Sequence, residues 1–191
     1  MKTLYIIRHT TPKVEPGVCY GQADLDITAS FQQEANEINQ LLKQAEIDTV
    51  YSSPLKRCKV LAQELFTDKT IRYNDLLKEI DFGDWELMKW NDIPKEQMET
   101  WSADFVHLPP PNGESLGDMN SRANEFLKHC KTSIEDDSTA AIVTHSGIIR
   151  CIIAQCLSIP LNKIFRLKLN YASVVKIVLF DSHEEVEILK P

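Results

Sequence analysis

Leu4-Tyr5-Ile6-Ile7-Arg8-His9-Thr10 carries four apolar, β-favouring residues straight into an arginine, a histidine and a threonine. A short apolar run of this kind predicts a buried strand. The carboxyl end of a strand is where open α/β sheets place their chemistry. There the pair sets a planar cation beside an imidazole able to attack or to shuttle protons.

Outward from this stretch, strand-like and helix-like segments alternate, which predicts three α/β/α layers around a mostly parallel central sheet. Residues 8–27 form a long loop with Pro12, Pro16, Gly17 and Gly21, and loops of that length are usually functional. Thr28 is the expected N-cap of a helix with the apolar stripe Ala35, Ile38, Leu41, Leu42 and Ala45. Thr49-Val50-Tyr51 reads as a second strand. Ser53 then caps a helix with Pro54 at its first position and Leu55, Cys58, Leu61, Ala62, Leu65 and Phe66 on one face. Thr70 to Tyr73 is a third strand. Residues 79–113, with Trp85, Trp90, Trp101 and the break Pro109-Pro110-Pro111-Asn112-Gly113, read as a small inserted cap or lid within one domain spanning 1–191. A helix over Leu116–Thr132 points Met119, Ala123, Phe126, Leu127 and Cys130 inward. Ala140–Thr144 is a central strand, Ser146–Leu157 an apolar helix behind it, and Val174–Phe180 with Val186–Leu189 a closing hairpin.

Of the 191 residues, 43% are hydrophobic, enough for a sizeable core, yet no apolar stretch nears the roughly 20 residues of a membrane span. The net charge of −7 argues against nucleic acid or anionic membranes as partners, so an anionic ligand needs a local basic pocket. Met1-Lys2-Thr3 leaves no room for a signal peptide. Cys19, Cys58, Cys130, Cys151 and Cys156, odd in number and scattered, read as reduced thiols. A cytoplasmic protein is expected, and its oligomeric state is left open. No metal-ligand spacing, P-loop or Gly-x-Gly-x-x-Gly is present, so no metal or cofactor is expected.

Three segments supply what Arg8-His9 needs: Ser52-Ser53-Pro54-Leu55-Lys56-Arg57, Glu79-Ile80-Asp81-Phe82-Gly83 and Thr144-His145-Ser146-Gly147. His9 and His145 both follow predicted strands, while Arg57 and Ser146-Gly147 fall in the first turns of helices, where unpaired N–H groups favour a phosphate. Arginine forks grip phosphate oxygens. A neutral imidazole can attack phosphorus and leave a phosphohistidine for water to open. A carboxylic acid must then protonate the leaving alkoxide; Glu79 is the candidate, with Asp81, Asp84 and Glu86 close by as alternatives. Arg8, Arg57 and His145 would clamp the transition state electrostatically.

Taken in order, Arg8-His9-Thr10, Ser52-Ser53-Pro54-Leu55-x-Arg57, Glu79-x-Asp81-Phe82-Gly83-x-Trp85-Glu86, Asn112-Gly113-Glu114-Ser115 and Thr144-His145-Ser146-Gly147 resemble the motifs of the histidine phosphatase superfamily, which includes phosphoglycerate mutase. The resemblance implies a phosphoglycerate mutase-like fold, His9 as nucleophile, Glu79 as proton donor, and Arg8, Arg57 and His145, with Ser146, around the phosphate. Gly17–Asp24 and Glu79–Glu86 are most similar to the α-ribazole phosphatase branch, which implies removal of the 5′-phosphate of α-ribazole phosphate in cobalamin lower-loop assembly. Other small-phosphate phosphatases, a mutase and an idle phospho-ligand-binding module are the competing readings. Tyr20, Gln22, Trp85, Glu114 and Ser115 are candidate substrate contacts. Tyr20 and Trp85, with Trp101 and Phe105, can stack on a flat base or simply pack, and Ser115 can instead cap the helix it precedes. Three positions depart from the family pattern. Thr10 and Leu87 stand where glycine is usual, and an asparagine expected near Thr11–Val14 is missing.

Overall fold

The computed structural model describes residues 1–191. Six strands form one sheet: β1 (Lys2–Arg8), β2 (Thr49–Ser52), β3 (Ile71–Tyr73), β4 (Thr139–Thr144), β5 (Val174–Leu179) and β6 (Glu184–Lys190), in the order β3-β2-β4-β1-β5-β6. β3, β2, β4 and β1 run parallel, and β5 and β6 add an antiparallel edge. Period-2 alternation feeds both faces. Leu4, Ile6, Ala140, Ile142, Val175 and Ile177 enter one apolar cluster, while Ile7, Ala141, Val143 and Val174 enter another.

The helices cover these faces in pairs. α1 (Phe31–Leu42) and α2 (Lys56–Leu65) close the second cluster. α4 (Leu116–Ser133) and α5 (Ser146–Leu157) close the first. The chain therefore leaves adjacent strands β1 and β4 toward opposite faces, which opens a crevice at their carboxyl ends. α3 (Lys95–Ala103) lies in the 79–113 segment beside a small separate cluster of Cys19, Trp85 and Ile93. No helix is long and apolar enough to cross a membrane.

Three local expectations are corrected. α1 starts at Phe31, not after Thr28, because the Thr28 hydroxyl ties back to the Thr11 carbonyl (3.2 Å) and to Ser30. Leu41 in its stripe is exposed. α2 starts at Lys56, since Leu55 is still extended and the Ser53 hydroxyl, paired with His145 Nε2 at 2.8 Å, takes only the Leu55 N–H at a long 3.4 Å; the capping acceptor is Asp24, whose Oδ1 takes the Lys56 N–H at 2.6 Å. By contrast, Ser115 and Asp118 form a full capping box at the start of α4.

Candidate active site

Register brings the site together. Arg8 pairs with Thr144 and Ser52 with Val143, so the residues after β1, β4 and β2 emerge side by side. The His9 N–H donates to the Thr144 carbonyl at 3.0 Å, and the two imidazoles lie edge to face with centroids 5.1 Å apart. His9 is 1% exposed. Its Nδ1 donates to the Thr10 carbonyl at 2.7 Å, which leaves Nε2 without a proton. Arg57 Nε donates to that Nε2 at 3.3 Å. Burial first, then the Arg57 and Arg8 charges, holds the His9 pKa well below 6.5, so the ring is neutral. His145 is lowered in the same way, by burial and then Arg57, and its Nε2 shares a 2.8 Å hydrogen bond with Ser53 Oγ.

The arginines are fixed by backbone carbonyls, not by carboxylates, so their charge stays available. Arg57 is fully buried and donates through its terminal nitrogens to Gly21 O (2.5 Å) and Ala23 O (2.8 Å). Arg8 donates to Leu169 O at 2.6 Å, lies 4.1 Å over the Tyr171 ring, and keeps a buried Nε–H with no partner. Tyr171 reaches across to Tyr20, the hydroxyls 2.5 Å apart.

Of the four acids between residues 79 and 86, geometry separates one. Glu86 accepts the N–H groups of Gly21, Gln22, Ala23 and Phe82, and so shapes the loop that grips Arg57. Asp81 accepts from Gly83 N and Asp84 from Asn112. Glu79 alone faces the crevice, where its carboxylate accepts from Gly147 N at 3.1 Å and Ile80 N at 3.1 Å and lies 3.5 Å from Ser146 Oγ. Gly147 is required by this approach: a Cβ there would stand 2.2 Å from Glu79 Oε1 and 2.8 Å from Met119 Cε.

The crevice encloses about 160 Å³, with Arg8, His9, Glu79, Ser146, Gly147 and Arg150 as its polar wall and Tyr20, Phe82, Trp101, Phe105, Met119 and Phe165 among the rest. A shallower surface depression of about 520 Å³ between the far ends of α1 and α2 holds none of the candidate residues. Arg57 and His145 flank His9 just below the crevice wall. The other sequence candidates do not line it. Gln22 Nε2 donates to Glu79 O (3.1 Å), Trp85 is buried with its Nε1 on Gln97, Glu114 pairs with Arg122, and Ser115 caps α4.

Four contributors carry no motif. Tyr171 braces Arg8. Arg122 straps the approach to Glu79 through Leu76 O, Lys78 O and Glu79 O. Phe165 walls the crevice. Arg150 had a signal in the sequence, as the lone charge in Ser146–Leu157. Two of the three departures can be read from the backbone. Leu87 has φ 67°, the left-handed region that explains a glycine preference there, whereas Thr10 lies outside that region and fits without backbone strain.

Comparison with known proteins identifies the family and the fold. The family described as histidine phosphatase superfamily (branch 1) matches residues 4–190. An adenosylcobalamin/alpha-ribazole phosphatase of Escherichia coli K12 is 26% identical over 173 residues, covering 87% of this chain and 85% of that protein. Phosphoserine phosphatase 1 of Hydrogenobacter thermophilus is 29% identical over 183 residues, covering 91% and 84%. The crystal structure of the alpha-ribazole phosphatase from Shigella flexneri superposes with a TM-score of 0.91 at 24% identity, covering 99% of this chain and 96% of that one.

Proposed function

The chain belongs to the histidine phosphatase superfamily (branch 1), and on that footing we propose that it is a phosphomonoesterase acting through a phosphohistidine at His9. The observation that carries this reading is the tautomer of His9: Nδ1–H bound to the Thr10 carbonyl, Nε2 unprotonated and held only by a long 3.3 Å hydrogen bond from Arg57 Nε, and the Arg57 and Arg8 charges beside it. Nε2 attacks phosphorus; the forks of Arg57 and Arg8, with His145, take up the charge growing on the equatorial oxygens. Glu79 donates a proton to the departing alkoxide, and water then opens the P–N bond with Glu79 as base. Ser146, at the start of α5, adds an N-terminal donor for the phosphate. The whole chain acts as one domain in which residues 79–113 serve as a cap, with Phe82 and Trp101 over the leaving group.

For the substrate we propose α-ribazole 5′-phosphate. The likeness to the E. coli phosphatase supports it, and so does an aromatic crevice wall suited to a flat base. The test is hydrolysis of p-nitrophenyl phosphate and α-ribazole 5′-phosphate by the purified protein and by His9→Ala. The proposal expects turnover of both by the wild type and background rates for His9→Ala. A His9→Ala variant as fast as the wild type removes the mechanism; a wild type slower on α-ribazole 5′-phosphate than on p-nitrophenyl phosphate removes the substrate.

A further inference from the structure

α5 runs along the crevice and orders its parts. His145 precedes it against Ser53, Ser146 and Gly147 meet the Glu79 carboxylate, and Arg150 follows one turn later, about 6 Å along the axis. Phosphate pocket, ester oxygen and leaving-group space therefore succeed one another along one helix. Arg150 is the only charged residue of this helix, and it is half-buried among apolar neighbours. Its Nε donates to Leu167 O at 3.1 Å and its guanidinium lies 5.7 Å from the Phe165 ring. The two terminal nitrogens make no hydrogen bond or ion pair with the chain, unlike Arg57, whose three nitrogens are all engaged. The fork is half-buried, faces the crevice and has no counter-charge; burial, then the nearby Arg8 charge, lowers its pKa. An acceptor brought in by the ligand would engage it, and a planar fork matches two adjacent oxygens.

We propose that Arg150 is a specificity-determining residue whose free fork grips a pair of oxygens on the leaving alcohol, a carboxylate or a vicinal diol, while Trp101, Phe105 and Phe165 cover its apolar part. This rests on the phosphomonoesterase reading above. Arg8 and Arg57 address the phosphoryl group common to every substrate; Arg150 addresses what differs between them.

The experiment compares kcat/KM of wild type, Arg150→Met and Arg150→Lys on four esters. Phenyl phosphate has no oxygen pair, O-phosphoserine has a carboxylate, adenosine 5′-phosphate has a diol, and its 2′-deoxy counterpart lacks one. Losing a charge-assisted fork is expected to lower kcat/KM about 30-fold for O-phosphoserine or adenosine 5′-phosphate, with phenyl phosphate within about threefold of wild type. Arg150→Lys, which keeps the charge without the fork, recovers only part of the loss. A drop on O-phosphoserine identifies a carboxylate; a drop on adenosine 5′-phosphate but not its deoxy counterpart identifies the diol. Equal losses on all four would make Arg150 part of the phosphate clamp or of the fold and overturn the proposal, as would no loss on any. A wild type inactive on all four and also on p-nitrophenyl phosphate and α-ribazole 5′-phosphate overturns the phosphomonoesterase reading itself, whereas an active wild type indifferent to Arg150 overturns this inference alone.

Discussion

His9 and Glu79 hold complementary protonation tasks because their surroundings differ in kind. Around His9, burial and two cations keep the imidazole neutral and nucleophilic. Around Glu79 there are N–H donors at the mouth of α5, which aim one carboxylate oxygen into the crevice. Glu79→Gln should slow phosphoryl transfer to His9 from alkyl phosphates about a hundredfold, as loss of a general acid does, and from aryl phosphates far less, since a phenolate leaves unaided. Equal losses on both ester types would remove Glu79 from the acid role. At Leu87 a branched side chain is 59% exposed and held at φ 67°. Leu87→Gly should therefore stabilise the protein by about 1 kcal/mol, read as a raised urea midpoint with unchanged slope; a lowered midpoint would show that the side chain earns its place.

Elements deliver these residues through register, and the register was legible where period and spacing agreed. The run Leu4–Ile7 and the near-continuous apolar Ala140–Val143 announce buried strands, and a histidine follows each run within two residues. What escaped was long-range backbone bonding. Glu86 organising Gly21–Ala23, Asp24 capping α2, and Arg122 holding Leu76–Glu79 join residues 32 to 65 positions apart, or 43 to 46 in the case of Arg122. Such contacts have no local periodicity to betray them. The same blindness put helix starts at Thr28 and Ser53, since a hydroxyl's choice between its own helix and a distant partner is made by tertiary structure. Gly147 shows how closely elements must meet at the site. Gly147→Ala should push Glu79 aside and cut kcat/KM on alkyl phosphates about a hundredfold, the order expected for roughly 1 Å of misplacement. It should share the leaving-group dependence of Glu79→Gln; normal turnover in the alanine variant would refute the close approach.

At the scale of the whole molecule, burying two neutral histidines under arginines makes stability depend on pH. In the unfolded chain both histidines titrate near 6.5; folded, both are held well below it. Above 6.5 neither state binds these protons and stability is at its full value. As pH falls below 6.5 only the unfolded state takes them up, so each histidine costs up to about 1.4 kcal/mol per pH unit until its folded value is reached. The urea midpoint should fall between pH 7.5 and 5.5, and fall less in His145→Gln; a flat midpoint would mean the rings are charged when buried. The catalytic claim itself is tested most directly by trapping the intermediate. The protein is mixed with excess phosphate ester, quenched in alkali, where phosphohistidine survives, and its peptides are weighed. One added phosphoryl group on His9, absent from His9→Ala and increased in Glu79→Gln on an aryl phosphate, is the predicted result. Rapid turnover with no phosphoryl group on His9, or with the group on any other residue, would contradict it.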